Sequence, residues 1–246
     1  MPRTLARSFG NVAALYDRVR PEYSKAALDR LCSELGLEPQ SRVLDLAAGT
    51  GKLTRPLARR FDQVVAVEPD NDMRSLLLLP GVEVLGGAAE RIPLGDSSVD
   101  AVFVGEAFHW FDGPAALREL ARVLRPGGGL ALVWKQWWET EPRIPPEAAE
   151  LLREPFERSG RARMMAETDW REAFPGSAFE PLQEETLLDP AEVDADRLVD
   201  LYLTGSSIAV LTDEERAALS ARLRKLVKGR YRIPIRVELA WTRLRV

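Results

Sequence analysis

Asp45, Gly49 and Gly51 stand within seven residues of one another, in the segment Val43-Leu44-Asp45-Leu46-Ala47-Ala48-Gly49-Thr50-Gly51. The apolar run before them reads as a buried strand and the text from Lys52 to Arg60 reads as helix. The unit is therefore strand, tight loop, helix. Glycine has no Cβ, so both glycines let the backbone take positive φ and come close to a ligand. A carboxylate beside such a loop repels a pyrophosphate and welcomes a cation. The dinucleotide fingerprint wants a third glycine three residues after the second, where this chain has Thr54. A Walker loop fails as well, because no Gly-Lys-Ser/Thr closes the turn.

A ligand with an adenosine, a positive charge and no phosphate meets those constraints, and S-adenosyl-L-methionine has all three properties. One strand–helix unit later, Gln63-Val64-Val65-Ala66-Val67-Glu68 is an apolar run that ends in an acid, the composition of a parallel strand buried on both faces. An acid at the end of the second strand is placed to accept hydrogen bonds from both ribose hydroxyls, which makes Glu68 the candidate ribose ligand.

A second group of reactive side chains follows the expected fourth strand, in Gly105-Glu106-Ala107-Phe108-His109-Trp110-Phe111-Asp112. His109 is the one histidine of the chain. Its neutral imidazole suits proton removal near pH 7, or it packs locally and shapes the pocket floor. Glu106 is the rival base, or a contact for the methionine end of the cofactor. Phe108, Trp110, Phe111, Trp134, Trp137 and Trp138 gather near this mouth in sequence. They suit an apolar acceptor wall or a cation–π contact with a sulfonium, and equally suit packing beneath a cap.

The elements that must position these groups are expected as strands at 42–47, 63–68, 82–85, 99–104 and 129–135, with helices near 51–60, 71–79 and 114–124. Residues 9–36 read as two helices broken near Pro21, with Phe9, Val12, Leu15, Tyr16 and Val19 spaced for one face. Gly127-Gly128-Gly129 reads as a turn feeding the fifth strand. Beyond a proline-rich connection, helical text runs to about 173. A strand is expected near 179–188, helices at 195–208 and 213–228, and a last strand at 233–244. Alternating strands and helices give an α/β fold with a parallel sheet covered on both faces. In such sheets ligands bind beyond the carboxyl ends of the strands, where strand order reverses. Asp45, Glu68, Glu90, Glu106 and Trp134 all fall at or just past those ends.

Four segments in order carry a family resemblance: VLDLAAGTGKLT, VVAVEPDNDM, GGAAERIPLGDSSVDAVFVGEAFHWFD and RELARVLRPGGGLALVW. They resemble the motifs of class I S-adenosylmethionine-dependent methyltransferases, within them the small-molecule branch that includes ubiquinone/menaquinone-biosynthesis and trans-aconitate methyltransferases. The likeness is firm from about residue 9 to 135 and loose beyond. It implies a Rossmann-like fold with a mostly parallel seven-stranded sheet, helices on both faces and a helical cap. It also implies one domain over 1–246: a lid at 1–36, a cofactor-binding core at 37–138, a cap with the sixth strand at 139–232, and a last strand at 233–246. Methyl transfer to an O, N or C atom of a small molecule would leave S-adenosyl-L-homocysteine.

Residue by residue, the resemblance assigns Asp45, Ala47, Gly49, Gly51 and Glu106 to the methionine and ribose side of the cofactor. It assigns Glu68 and Pro69 to the ribose, and Met73, Ala89 and Glu90 to the adenine edge. Many relatives have an Asp that bonds the adenine amino group where this chain has Ala88, so adenine recognition shifts to the Ala89 backbone, Glu90 and Met73. The pattern Tyr16-Asp17-Arg18-Val19-Arg20-Pro21-Glu22-Tyr23 resembles the family's lid, with Arg20 placed to meet a carboxylate of the cofactor or of the acceptor and Tyr16 and Tyr23 sealing the cleft. Trp110 and Trp134 would line the acceptor side. No metal is implied.

Composition narrows the partners. The net charge is −4 with 46% hydrophobic residues, which exerts no global pull toward nucleic acid. The stretch from Asp213 to Val246 has ten Lys/Arg against four acids. An RNA methyltransferase is therefore one alternative, but the basic residues are spaced around an amphipathic helix and lack interleaved aromatics, as on a solvated face. A binding protein for the cofactor without transferase activity is the other alternative. The single cysteine, Cys32, excludes an intrachain disulfide. The start of the chain lacks the apolar core of a signal peptide and no apolar run reaches spanning length. The expectation is a cytoplasmic monomer or homodimer.

Overall fold

The computed structural model describes residues 13–136, 144–159, 169–205, 207–208 and 211–246. Helices run in the order α1 (Ala13–Val19), α2 (Lys25–Glu34), α3 (Thr54–Ala58), α4 (Asn71–Ser75), α5 (Gly113–Val123), α6 (Pro146–Arg158), α7 (Ala195–Leu203) and α8 (Asp213–Leu226). Strands are β1 (Arg42–Leu46), β2 (Gln63–Val67), β3 (Val82–Leu85), β4 (Val99–Gly105), β5 (Leu124–Gln136), β6 (Gln183–Leu188), β7 (Ala191–Asp194), β8 (Arg230–Ile233) and β9 (Arg236–Arg243). The chain divides into two compact units. One takes the described residues of Met1–Arg20, Gln136–Asp169 and Leu188–Arg236; the other takes Pro21–Lys135, Trp170–Leu187 and Val237–Val246.

The second unit is built on a seven-stranded sheet of order β3-β2-β1-β4-β5-β9-β6. β1 pairs in parallel with β2 and with β4, β2 with β3, and β4 with β5. Strand order reverses between β1 and β4, so the Rossmann-like, mostly parallel arrangement expected from the sequence is present. Val43, Leu44 and Leu46 of β1, and Val64 to Val67 of β2, are buried, as strands covered on both faces require. Helix α5 shows why its sequence folds so. Asp112 caps Ala115 N–H at 3.1 Å, Pro114 sits in the first turn, and Ala116, Leu117, Leu120 and Val123 form one buried stripe. Cys32 is buried in α2, and burial pushes its thiol up to about 11.

Several boundaries differ from expectation. β5 begins at Leu124, not 129, so Gly127-Gly128-Gly129 lie inside the strand rather than in a free turn. Gly127 has φ +75° and the register with β4 slips between Val99 and Ala101, so the glycines make an irregular strand entry. Helix α4 stops at Ser75 instead of 79, and α7 stops at Leu203 instead of 208. The expected strand at 179–188 becomes β6 at Gln183–Leu188, with Phe179 in a lone bridge to Leu244.

In the first unit, α7 packs with α1 and α8, and α8 packs with α6. The expected last strand at 233–244 is two strands, β8 and β9, broken at Pro234, which has no N–H to offer a ladder. β8 pairs antiparallel with β7 in a separate two-stranded sheet that the sequence did not suggest. Helix α8 opens with a capping box between Thr212 and Glu215. Two of its four basic residues are paired within this unit: Arg216 with Asp213, and Arg224 with Asp196 and Asp200. Of the helical text expected to reach 173, α6 covers Pro146–Arg158 and a short 3-10 turn covers Trp170–Ala173 in the other unit, while 160–168 lie outside the described residues. Phe9, Val12, Trp137 and Trp138 lie outside the described residues. Among the described residues no helix is long and apolar enough to cross a membrane.

Candidate functional site

The carboxyl ends of β1, β2 and β4, all in the sheet unit, gather the acids picked out in the sequence. Asp45 is 1% exposed, opposite Ala66 of β2 and Phe103 of β4. Its Oδ2 accepts the Thr54 hydroxyl at 2.6 Å. Its Oδ1 is buried without a hydrogen-bond partner among the described residues, and so is the Thr50 hydroxyl in the glycine turn. Burial, with the nearby Glu68 charge adding to it, lifts the Asp45 carboxyl from 3.8 to about 7, against the pull of the Thr54 bond.

Glu68 locks the turn to the second strand. Its Oε2 accepts Gly49 N–H at 2.7 Å and its Oε1 accepts Asp70 N–H at 2.8 Å. Burial raises its carboxyl and these two amides oppose the rise. Two accepted bonds leave a carboxylate further lone pairs for hydroxyl donors. Gly49 has φ +58° and Gly51 φ +88°. A Cβ on Gly51 would lie 3.0 Å from Leu77, and one on Gly49 would lie 3.5 Å from Met73. Ala47, at φ +59°, enters the turn in the left-handed region that L residues seldom adopt. Pro69 is exposed, and Met73 is buried in α4 with its N–H on Asp70 Oδ1 at 3.0 Å.

The loop after β3 carries Ala89, which is buried, and Glu90, which is exposed. Glu90 Oε1 accepts Asp112 N–H at 2.9 Å, tying the loop to the entrance of α5. Ala88 forms a bridge with Arg91.

At the end of β4, Glu106 has φ +58° and its Oε1 accepts Lys135 N–H, from β5, at 2.6 Å. Lys135 is 7% exposed; its Nζ donates to Pro21 O at 2.6 Å and lies 4.1 Å from the Tyr23 ring centre. Tyr23 in turn presses on the strand end, where a Cβ at Gly105 would come within 2.5 Å of its hydroxyl. His109 Nδ1 accepts Trp134 Nε1–H at 3.2 Å, so the neutral ring keeps its proton on Nε2. Trp134 is buried and stacks on Trp170, with ring centres 4.6 Å apart. Trp110 is half-buried with its ring 4.8 Å from His109. Phe108 is buried among Phe111, Trp170 and Phe174.

Tyr16 and Arg20 belong to the other unit. There Arg20 Nε donates to Thr204 Oγ1 at 2.9 Å and its guanidinium lies 5.2 Å from the Tyr16 ring centre.

The fold and this constellation can be set against known proteins. The family model described as "Methyltransferase domain" matches residues 44–132, the span from β1 into β5. An uncharacterized methyltransferase of Schizosaccharomyces pombe is 34% identical over 227 residues, covering 91% of this chain and 88% of that protein. The chain belongs to the methyltransferase family. An uncharacterized methyltransferase of Mycobacterium tuberculosis is 50% identical over 134 residues, 54% of each chain, so the match spans about half the length of that relative. A solved structure of a proposed type II methyltransferase from Anaeromyxobacter dehalogenans aligns with a TM-score of 0.60 at 26% identity, over 91% of this chain and 96% of that one. Motif order and topology together are those of class I S-adenosylmethionine-dependent methyltransferases.

Sequence reasoning missed several members of this methyltransferase's site region. Thr54 stood out only as a missing glycine, yet it bonds Asp45. Lys135 follows a tryptophan at the end of an apolar strand, and a lysine there is a signal that an apolar environment must supply acceptors for its charge. Glu119 and Arg122 lie in the expected helix at 114–124, and sequence reasoning assigned neither a role.

Proposed function

We propose that this methyltransferase transfers a methyl group from S-adenosyl-L-methionine to a small-molecule acceptor. The observation that carries this reading is the buried Asp45 Oδ1, which has no hydrogen-bond partner among the described residues, as is also true of the Thr50 hydroxyl in the glycine turn. A buried carboxylate oxygen without a hydrogen-bond donor costs on the order of 1–3 kcal/mol, and a cationic ligand with donor groups offsets that cost. A phosphate there would meet Asp45 and Glu68 and would be repelled. The residues present therefore fit the charge and polarity of the donor, with Asp45 and Thr50 toward its cationic portion, Glu68 toward the ribose hydroxyls, and Met73 and the Ala89–Glu90 loop toward the base.

When bound, S-adenosylmethionine supplies a methyl group on a positively charged sulfur, which makes transfer favourable without a metal or a strong base. The chain's own part is to hold and align. In this reading Glu106, fixed through Lys135, and Tyr23, pressed on Gly105, order the end of β4 beside the acceptor. His109 serves as a positioning residue. A proton taken at Nδ1 would cost the Trp134 bond, and Nε2 already holds its proton in the neutral ring. Rate enhancement then rests chiefly on orientation in a water-poor pocket. Asp45, Thr50 and Glu68 would hold the donor so that its methyl group could pass to an acceptor, with S-adenosylhomocysteine as the product. A small molecule is favoured over RNA because Arg216 and Arg224 of the basic helix α8 are paired with acids of their own unit.

The test is calorimetric titration with S-adenosylmethionine, followed by measurement of S-adenosylhomocysteine formation with pooled metabolites, with and without tRNA. Binding together with metabolite-dependent turnover supports the proposal. Binding without turnover points to a non-catalytic binding protein, and turnover only with tRNA overturns the acceptor class.

A further inference from the structure

The loop between β3 and β4 has little secondary structure, yet one side-chain pair on α5 grips it at several points. Arg122 donates from Nη2 to Ile92 O at 2.9 Å and from Nη1 to Leu94 O at 2.7 Å. Nη1 also reaches Asp96 at 2.9 Å. Glu119 takes two further bonds from the same guanidinium, at 2.8 and 2.7 Å. Its Oε2 then accepts Ile92 N–H at 2.8 Å. The backbone donor and acceptor of Ile92 and the carbonyl of Leu94 are thus all held by one planar guanidinium–carboxylate pair. Charge-assisted bonds of this kind are stronger and geometrically stricter than neutral ones. The Arg122 guanidinium holds the Glu119 carboxyl below the usual carboxylate range, so the pair stays ionised across ordinary working pH.

The first part of the loop is closely packed as well. Ala88 bridges to Arg91 and accepts its N–H at 3.1 Å. A Cβ on Gly87 would fall 2.6 Å from Pro93 and 3.2 Å from Val67. On the far side, Arg74 donates to Glu68 O at 2.7 Å, and a Cβ on Gly86 would come within 3.2 Å of its guanidinium. Between these anchors lie Ala88, Ala89 and Glu90. Ala88 has no polar side chain, and Glu90 Oε1 accepts Asp112 N–H, which fixes that side chain to the loop's own geometry. Discrimination of a base against this loop then depends on where the loop places its backbone groups and Glu90. Placement of backbone is what the α5 pair controls.

We infer that Glu119 and Arg122 are positioning residues for recognition of the donor's nucleobase, acting through the loop from Gly87 to Leu94 without touching the ligand. The inference rests on the proposed donor site and predicts a specific effect. Weakening the grip reduces the preference for a 6-amino over a 6-oxo purine, beyond any uniform loss of affinity.

The experiment measures dissociation constants of S-adenosylhomocysteine and its inosine counterpart, S-inosylhomocysteine, on wild type, Arg122→Met, Arg122→Lys, Glu119→Ala and Glu119→Gln. We expect Arg122→Met and Glu119→Ala to weaken the adenosine ligand about tenfold and to bring the adenosine-to-inosine ratio toward unity. Glu119→Gln, which keeps an acceptor for Ile92 N–H, restores much of the ratio. A purely structural role lowers the folded fraction and both affinities together, so an unchanged ratio in a folded variant overturns the inference. If Arg122→Met does not fold, the two Glu119 variants and Arg122→Lys decide by the same ratio. If wild type binds neither ligand, the donor-site proposal itself fails, which is a separate outcome.

Discussion

The donor and acceptor sides proposed above, both at the carboxyl ends of the central strands, are built in opposite ways. On the donor side, the nine residues Val43 to Gly51, from within β1 through its glycine turn, contain most of the machinery, and Glu68 reaches across from the adjacent strand to pin Gly49. Nearly every partner there is local or one βα unit away. On the acceptor side, Glu106 is held from β5, Lys135 reaches Pro21, Tyr23 lies on Gly105, and Trp134 rests on Trp170. Those partners come from segments remote in sequence. A site made locally can be kept constant while a site assembled from distant segments varies, and this division suits an enzyme class with one donor and many acceptors.

The sharpest break of this contrast should be Glu68→Ala. It removes the acceptor for two backbone amides and for the proposed ribose contact, so S-adenosylmethionine should bind about 100-fold more weakly. Titration showing an affinity within twofold of wild type would remove Glu68 from the donor site.

Asp45→Asn should come next, and its signs are opposed. The unfolded chain loses this proton near its ordinary 3.8, whereas the folded protein keeps it to about 7. Stability from this group is therefore greatest below pH 4 and falls as pH rises toward 7. Donor affinity should move the other way, strengthening as pH rises through 7. The variant should be more stable than wild type at pH 8 by about 1–3 kcal/mol in thermal melts. It should bind donor roughly tenfold more weakly and lose the pH dependence. A wild-type affinity that does not change between pH 6 and 8 would contradict this account of Asp45.

Gly105→Ala probes the other side. The added methyl must displace the Tyr23 hydroxyl, so turnover should fall about tenfold through lost alignment, with donor affinity kept within about twofold. A matched loss of donor affinity in calorimetry would show that the two sides are not independent. His109→Gln should have the smallest effect, a fall in kcat of about threefold, well short of the hundredfold or more expected for a dedicated base. Loss of the acid-side limb of the pH–rate profile in this variant would restore the histidine to a chemical role.

The same contrast explains what was legible in the sequence. The strand–turn–helix around Asp45 and the acid ending β2 could be read because their partners are neighbours and their hydrophobic runs are unbroken. The pairing of β7 with β8 could not, since Ala191–Asp194 and Arg230–Ile233 are four-residue strands with no sustained alternation. β5 started earlier than expected because a Pro-Gly-Gly-Gly run looks like a loop, although β4 supplies a partner with a slipped register. Glu119 and Arg122 occupy helix positions that normally face water, and only the path of a remote loop shows what they hold. Trp170 lies far in sequence from Trp134, and no local pattern announces their stack.

The buried acid at β1 has a practical consequence for anyone measuring ligand uptake. Near neutrality the molecule is a mixture of two forms differing by one hydrogen ion, and a cation entering beside Asp45 selects the deprotonated one. The heat recorded would then include the ionisation enthalpy of the buffer that absorbs the released ion. Titrations in phosphate and in Tris should return different apparent enthalpies for the same complex, and the slope between them counts the hydrogen ions displaced.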